Sequence, residues 1–216
     1  MTLLLIALAL AGGAWGVVAD RIATRWPEHD EADLPAGRSM GWRTVVNGSI
    51  GAVAFGALAL RFDDPAQLAL FGAWFATLTL LLATDLDQRL LPDLITLPLI
   101  VLALVAAVSG VDPLVHDAFG IAGAIGIAIV LPLGMWLISI PFGVDAVGVG
   151  DLKLLVSVGL LEGLVRTITG IVVGALLGGI VLSALIVTRR IGRQSYIPYG
   201  PFLILGAYWG VLVRFG

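Results

Sequence analysis

Two short stretches of this 216-residue chain place carboxylates in apolar surroundings: ATDLDQRLLPDLITLP at 83–98 and GVGDLK at 148–153. A carboxylate at or near bilayer depth is expensive and by default marks function. Asp85 directly follows a long apolar run, and Asp151 directly precedes a short one. Two carboxylates a few ångströms apart cannot both ionise easily, so such a pair holds one proton between them. An aspartyl hydrolase needs that state: the ionised member draws a proton from water while the neutral member protonates the substrate carbonyl. Gly148 and Gly150 suit the same chemistry, because residues without a Cβ let a substrate backbone lie close against the loop.

The elements that must carry these residues are membrane spans. The chain is 59% hydrophobic and 12% charged, with a mean hydropathy of +1.06. A soluble domain of this size could not hide so much apolar surface. A span needs about 20 mostly apolar residues, and such runs lie near 3–19, 45–60, 67–84, 94–109, 118–141, 152–161, 167–188 and 198–213. The sequence therefore predicts an all-α polytopic membrane protein of about eight transmembrane helices, forming a single membrane domain over 1–216. The sixth helix is too short to cross as a straight rod and starts from the GxGD loop, inside the membrane. Irregular backbone at that depth is tolerated where protein or water covers it. The first segment has no basic stretch before it, and Arg21 follows it, so it is read as a retained helix rather than a signal peptide.

Basic residues set the orientation. With the N-terminus outside, the inner loops hold Arg21, Arg25, Arg38, Arg43, Arg89, Lys153, Arg189, Arg190 and Arg193, and the outer ends hold Arg61, Arg166 and Arg214. Nine against three is a clear positive-inside bias. It places Asp85 and Asp151 on the same, cytoplasmic side. The lipid bilayer is one partner; nothing points to nucleic acid. The absence of cysteine excludes disulfides, thiolate zinc sites and cysteine nucleophiles. His29 and His116 sit in loops, which leaves a Ser-His protease without a base, and no H-E-x-x-H occurs.

Each acidic residue also has a plainer reading. Asp151 after two glycines fits a helix N-cap, and so does Asp93 after Pro92. Asp87 competes with Asp85 for the chemistry, but it lies two residues further into the loop, where it is expected to be wetter. Asp145 lies in the loop just ahead of the glycines. Lys153 reads either as an anchor that snorkels to the interface or as a charge that tunes the pair or holds substrate. Gly170, Gly174 and Gly178, and likewise Gly120, Gly123 and Gly126, form small-residue stripes expected to pack helices inside the bundle. Pro198 and Pro201 sit where the last span begins, a position that tolerates proline. Intramembrane aspartates also serve proton- or cation-coupled transporters. Many transporters show an internal repeat, and none is visible here.

ATDLDQRLLPD together with GVGDLK resembles the type IV prepilin peptidase family, membrane aspartyl proteases of the GxGD class, and IPYGPFLILGAYWG at 197–210 resembles its last helix. The likeness runs from about residue 67 to the end, the expected peptidase core. It implies that Asp85 and Asp151 are the catalytic pair, with Gly148, Gly150, Lys153 and Asp87 supporting them or binding substrate, and with no metal or cofactor. The implied substrate is a prepilin or pseudopilin helix in the inner membrane, whose short basic leader is cut at the cytoplasmic face after a glycine. Bifunctional members carry a larger first loop with four cysteines and N-methylate the new N-terminus. Here the loop at 20–44 is short and cysteine-free, and GAWGVVADRIATRWP at 13–27 keeps a faint likeness to the family's N-terminal motif. The resemblance thus extends to the peptidase and not to methyl transfer.

Overall fold

The computed structural model describes residues 2–27, 37–143, 147–189 and 199–214, and among these it holds seven α-helices, one 3-10 turn and no strand. His29, Asp145, Pro198, Arg190 and Arg193 lie outside the described residues. The helices are α1 (Thr2–Ala23), α2 (Trp42–Arg61), α3 (Pro65–Gln88), α4 (Asp93–Ser109), α5 (Ala118–Ser139, followed by the 3-10 turn Ile140–Phe142), α6 (Val149–Val187) and α7 (Gly200–Leu212). Five of them, α1, α2, α3, α5 and α6, are long and apolar enough to cross a membrane, and α4 and α7 are shorter apolar helices. The chain is an all-helical, polytopic integral membrane protein.

The sixth and seventh predicted spans fall on the two halves of α6, which are separate helices meeting at a kink at Gly163. Gly163 has φ 71° and ψ −179°, a conformation that costs a residue with a Cβ heavily. The apolar runs predict a break over 162–166. Glu162 is buried, and its carboxyl fills the space beside Gly210 of α7, where any Cβ would overlap it.

Helix α3 is the strut of the bundle and packs against α1, α2, α4 and α7. Asp64 caps its start, accepting hydrogen bonds from the Ala66 and Gln67 amides at 2.8 and 3.0 Å, with Pro65 in the first turn. Phe71, Trp74, Phe75, Leu78 and Leu81 along it are fully buried. Phe62 stacks on Phe71 at 4.4 Å, and Phe75 meets the edge of Tyr208 at 4.7 Å. The Tyr208 hydroxyl, deep among these rings, is satisfied by Thr79 Oγ1 at 2.8 Å.

Helices α6 and α7 meet through glycine. A Cβ on Gly206 would lie 2.8 Å from the Gly170 carbonyl carbon, and one on Gly174 would lie 3.1 Å from that of Phe202. The Gly170–Gly174–Gly178 stripe is therefore internal packing, as its spacing predicts. The α5 stripe is not: Gly126 faces open space, and Gly120 serves the α5 cap, its amide donating to Asp117 Oδ1 at 2.6 Å. The same substitution should thus have opposite effects at two glycines. Gly206→Ala is expected to lower the thermal midpoint in detergent through an overpacking cost of about 1–3 kcal/mol. Gly126→Ala should leave the midpoint unchanged or raise it, since alanine favours helix. Equal shifts at the two sites would contradict the packing described.

Candidate active site

Asp85 sits in the last turn of α3. Arg89 ends that helix in the left-handed region, with φ 55° and ψ 39°, and its amide donates to the Asp85 carbonyl at 2.9 Å. The Asp85 side chain lies against the first residue of α7, and a Cβ on Gly200 would stand 2.7 to 3.1 Å from its carboxyl atoms. A helix N-terminus favours negative charge at that position. Asp85 is 4% exposed, and its Oδ2 accepts no hydrogen bond. Buried polar atoms normally have partners, so an orphan oxygen here marks a place for water or substrate.

Asp151 comes from the other side, in the first turn of α6. It is not the N-cap that its sequence context suggests; Gly148 holds that position and Asp151 lies three residues further on. Its Oδ2 folds back over Gly148, where a Cβ would meet it at 3.2 Å. Gly150 packs against the Leu91 backbone of this same chain, at 2.8 Å from a Cβ position to Leu91 Cβ and 3.1 Å to the Leu91 carbonyl oxygen. The space Gly150 leaves seats α6 beside the segment leading into α4.

Asp85, Asp151, Gly148, Gly150 and Lys153 all border one cavity of about 350 Å³. Tyr199, Arg89, Leu91 and Asp93 border it too. Sequence reading assigned none of these four to the site; a Tyr-Gly-Pro run opening the last helix was the available signal for Tyr199. Lys153 does not simply snorkel: its Nζ donates to Asp93 Oδ1 at 2.6 Å, joining α6 to α4 across the cavity rim. Asp93 is correspondingly not an N-cap, since Pro92 occupies that position and Asp93 is the first residue of α4.

Asp87 does not border the cavity, and it is not wet. It is 5% exposed, and its Oδ1 accepts from Arg38 Nε at 2.5 Å and Arg43 Nη1 at 3.0 Å. Both arginines lie more than forty positions earlier in the chain, beyond the reach of a local sequence reading. Among the described residues no group of three or more His, Cys, Asp or Glu is arranged to hold a metal ion. A cavity with two acidic groups from different helices can hold a water and a peptide carbonyl between them.

The model of the type IV leader peptidase family matches residues 70–183, a stretch that contains Asp85, Gly148, Gly150, Asp151 and Lys153. The chain belongs to the type IV leader peptidase family. It is 36% identical over 159 residues to a prepilin leader peptidase/N-methyltransferase of Burkholderia pseudomallei, covering 72% of this chain and 50% of that protein. A protein of the same description from Pectobacterium carotovorum subsp. carotovorum is 31% identical over 152 residues, covering 68% and 53%. Another from Pseudomonas aeruginosa is 31% identical over 128 residues, covering 59% and 43%. The chain spans about half the length of these curated relatives. No solved structure matches it.

Within this leader peptidase family member, Gly200 lies beyond the matched residues yet shapes the cavity. Gly200→Ala should push the Asp85 carboxyl aside while leaving the bundle folded. A displacement of this size is expected to lower any activity centred on this cavity by about 10²-fold, with the thermal midpoint little changed. Gly72→Ala, at a glycine with open space around it, serves as the neutral control. Full turnover in Gly200→Ala would show that the α7 N-terminus does not set the Asp85 position.

Proposed function

We propose that this protein is a membrane aspartyl endopeptidase that removes the short basic leader of type IV prepilin-like proteins at the cytoplasmic face of the inner membrane, with Asp85 and Asp151 as its catalytic pair. The observation that carries the reading is the convergence of these two carboxylates, 66 positions apart, on one cavity in a chain of the leader peptidase family. In the proposed reaction the ionised aspartate takes a proton from water as the oxygen attacks the scissile carbonyl carbon. The neutral aspartate gives its proton to the carbonyl oxygen, forming a gem-diol. The gem-diol collapses as the leaving nitrogen is protonated and the C–N bond breaks, returning one proton to the pair. The family match speaks for this reading over a proton- or cation-coupled transporter.

The distribution of basic residues over the two ends of the bundle supports this orientation. Arg21, Arg38 and Arg43 gather with Asp20 and Asp87 at the C-terminal end of α3. Arg166 donates to the carbonyls of Gly210 and Val213, and Arg214 to that of Leu60, at the other end of the bundle. The richer end, by the positive-inside rule, is cytoplasmic, which puts the N-terminus outside and the cavity on the inner side. The relatives' names also carry N-methyltransferase. The cysteine-free loop at 20–44 leads us to assign this chain leader cleavage alone.

Purified protein given a prepilin should release the leader, and with S-adenosylmethionine present the new N-terminus should stay unmodified by mass spectrometry. Asp85→Asn and Asp151→Asn keep size but cannot exchange a proton, so each should abolish cleavage. The double variant should be no worse than either single one, because residues acting as a unit are non-additive. Cleavage by both single variants, at equal expression and insertion, would remove the peptidase assignment.

A further inference from the structure

The charged groups behind the cavity form a connected clasp that the proposed chemistry does not itself use. Arg38 spans two helices: its Nε donates to Asp87 Oδ1 of α3 and its Nη2 to Asp20 Oδ1 of α1, both at 2.5 Å. Arg43 of α2 adds a second bond to Asp87 at 3.0 Å. Asp20 also accepts from Thr44 Oγ1 at 2.6 Å and pairs with Arg21, whose Nη1 donates to the Arg38 carbonyl at 2.9 Å. Both carboxylates are nearly removed from solvent, with side-chain exposures of 1% for Asp20 and 2% for Asp87. Burial lowers the affinity of the Arg38 guanidinium for its proton, but the bonds to Asp87 and Asp20 outweigh it and the net shift is upward. Gln88 ties the same end of α3 to α1 through the Ala23 carbonyl at 3.0 Å.

This clasp holds the turn that carries Asp85. Residues two apart on an α-helix point about 200° away from each other, so Asp87 is gripped from behind while Asp85 faces the cavity and α7. Resting on the peptidase reading above, we propose that Asp87 is a positioning residue: Arg38 and Arg43 hold it so that the last turn of α3 presents the Asp85 carboxyl to the cavity at a fixed depth. Asp87 is held by two guanidinium groups and does not border the cavity, so its influence on the reaction runs through the backbone of that turn. The short first loop supplies Arg38, and with it the bridge from α1 to the catalytic turn.

The test uses the full-length purified protein and reads kcat and KM separately. Asp87→Asn should lower kcat by about 10²-fold, the effect of a misplacement near 1 Å, with KM unchanged within a small factor. Arg38→Lys keeps the charge but lacks the planar fork that reaches two carboxylates, and should move kcat in the same direction even if Asp87→Asn does not fold. Unchanged kcat per folded molecule would reduce the clasp to a structural tie, and a rise in KM alone would make Asp87 a substrate ligand; either overturns the proposal. A readout independent of catalysis separates this from the peptidase assignment. In this cysteine-free chain, a thiol introduced by Asp85→Cys should react with maleimide several-fold faster when Asp87→Asn or Arg38→Lys is added. An unchanged rate would overturn the positioning role even if cleavage itself were never observed.

Discussion

Everything at the candidate site depends on close backbone approach. Two acidic side chains can share a small space in an apolar bundle only if the helices carrying them come nearer than ordinary side chains permit. Gly200 lets α7 begin directly against the Asp85 carboxyl, and Gly150 lets α6 begin directly against Leu91. Without a hydrophobic drive between helices in lipid, such contacts are where packing energy is found. The same device recurs where α6 crosses α7 at Gly170 and Gly206. Small residues thus fix both the packing of the C-terminal helices and the shape of the cavity.

The strut α3 links these features to the rest of the chain. Its aromatic middle is locked by Phe62, Tyr208 and the Thr79 hydroxyl, and its end is fixed from two directions. On one side α7 meets Asp85; on the other, Arg38 and Arg43 meet Asp87. Asp20, Asp85 and Asp87 are thus three buried carboxylates gathered around the C-terminal end of one helix.

The sequence was legible where a feature depends on local pattern. Hydrophobic runs located the helices to within a few residues, and the cost of a carboxylate beside apolar residues singled out Asp85 and Asp151. It misled where the deciding partner is distant in the chain. Asp87 reads as wet because nothing nearby covers it; Arg38 and Arg43 do so from across the bundle. Lys153 and Asp93 read as an anchor and a cap, and they pair across 60 positions. The break after the sixth predicted span was legible, and the kink falls on Gly163 within it, while the buried place that Gly210 gives Glu162 depends on a distant helix. Gly120, Gly123 and Gly126 look like a packing stripe in sequence, and Gly126 opens onto empty space.

Helices α3 and α6 bring Asp85 and Asp151 to one cavity, and a native chain without cysteine allows a direct measurement. The pair Asp85→Cys and Asp151→Cys, treated in membranes with a short bifunctional maleimide, should become joined within one chain. A protease site inserted at 110–117, between α4 and α5, reports the link: after cutting, the two fragments should still migrate together. The control pair Asp85→Cys and Leu164→Cys, with one thiol beyond the Gly163 reversal, should fall apart under the same treatment. Separation of the Asp85/Asp151 fragments, with both thiols labelled but unlinked, would contradict the account.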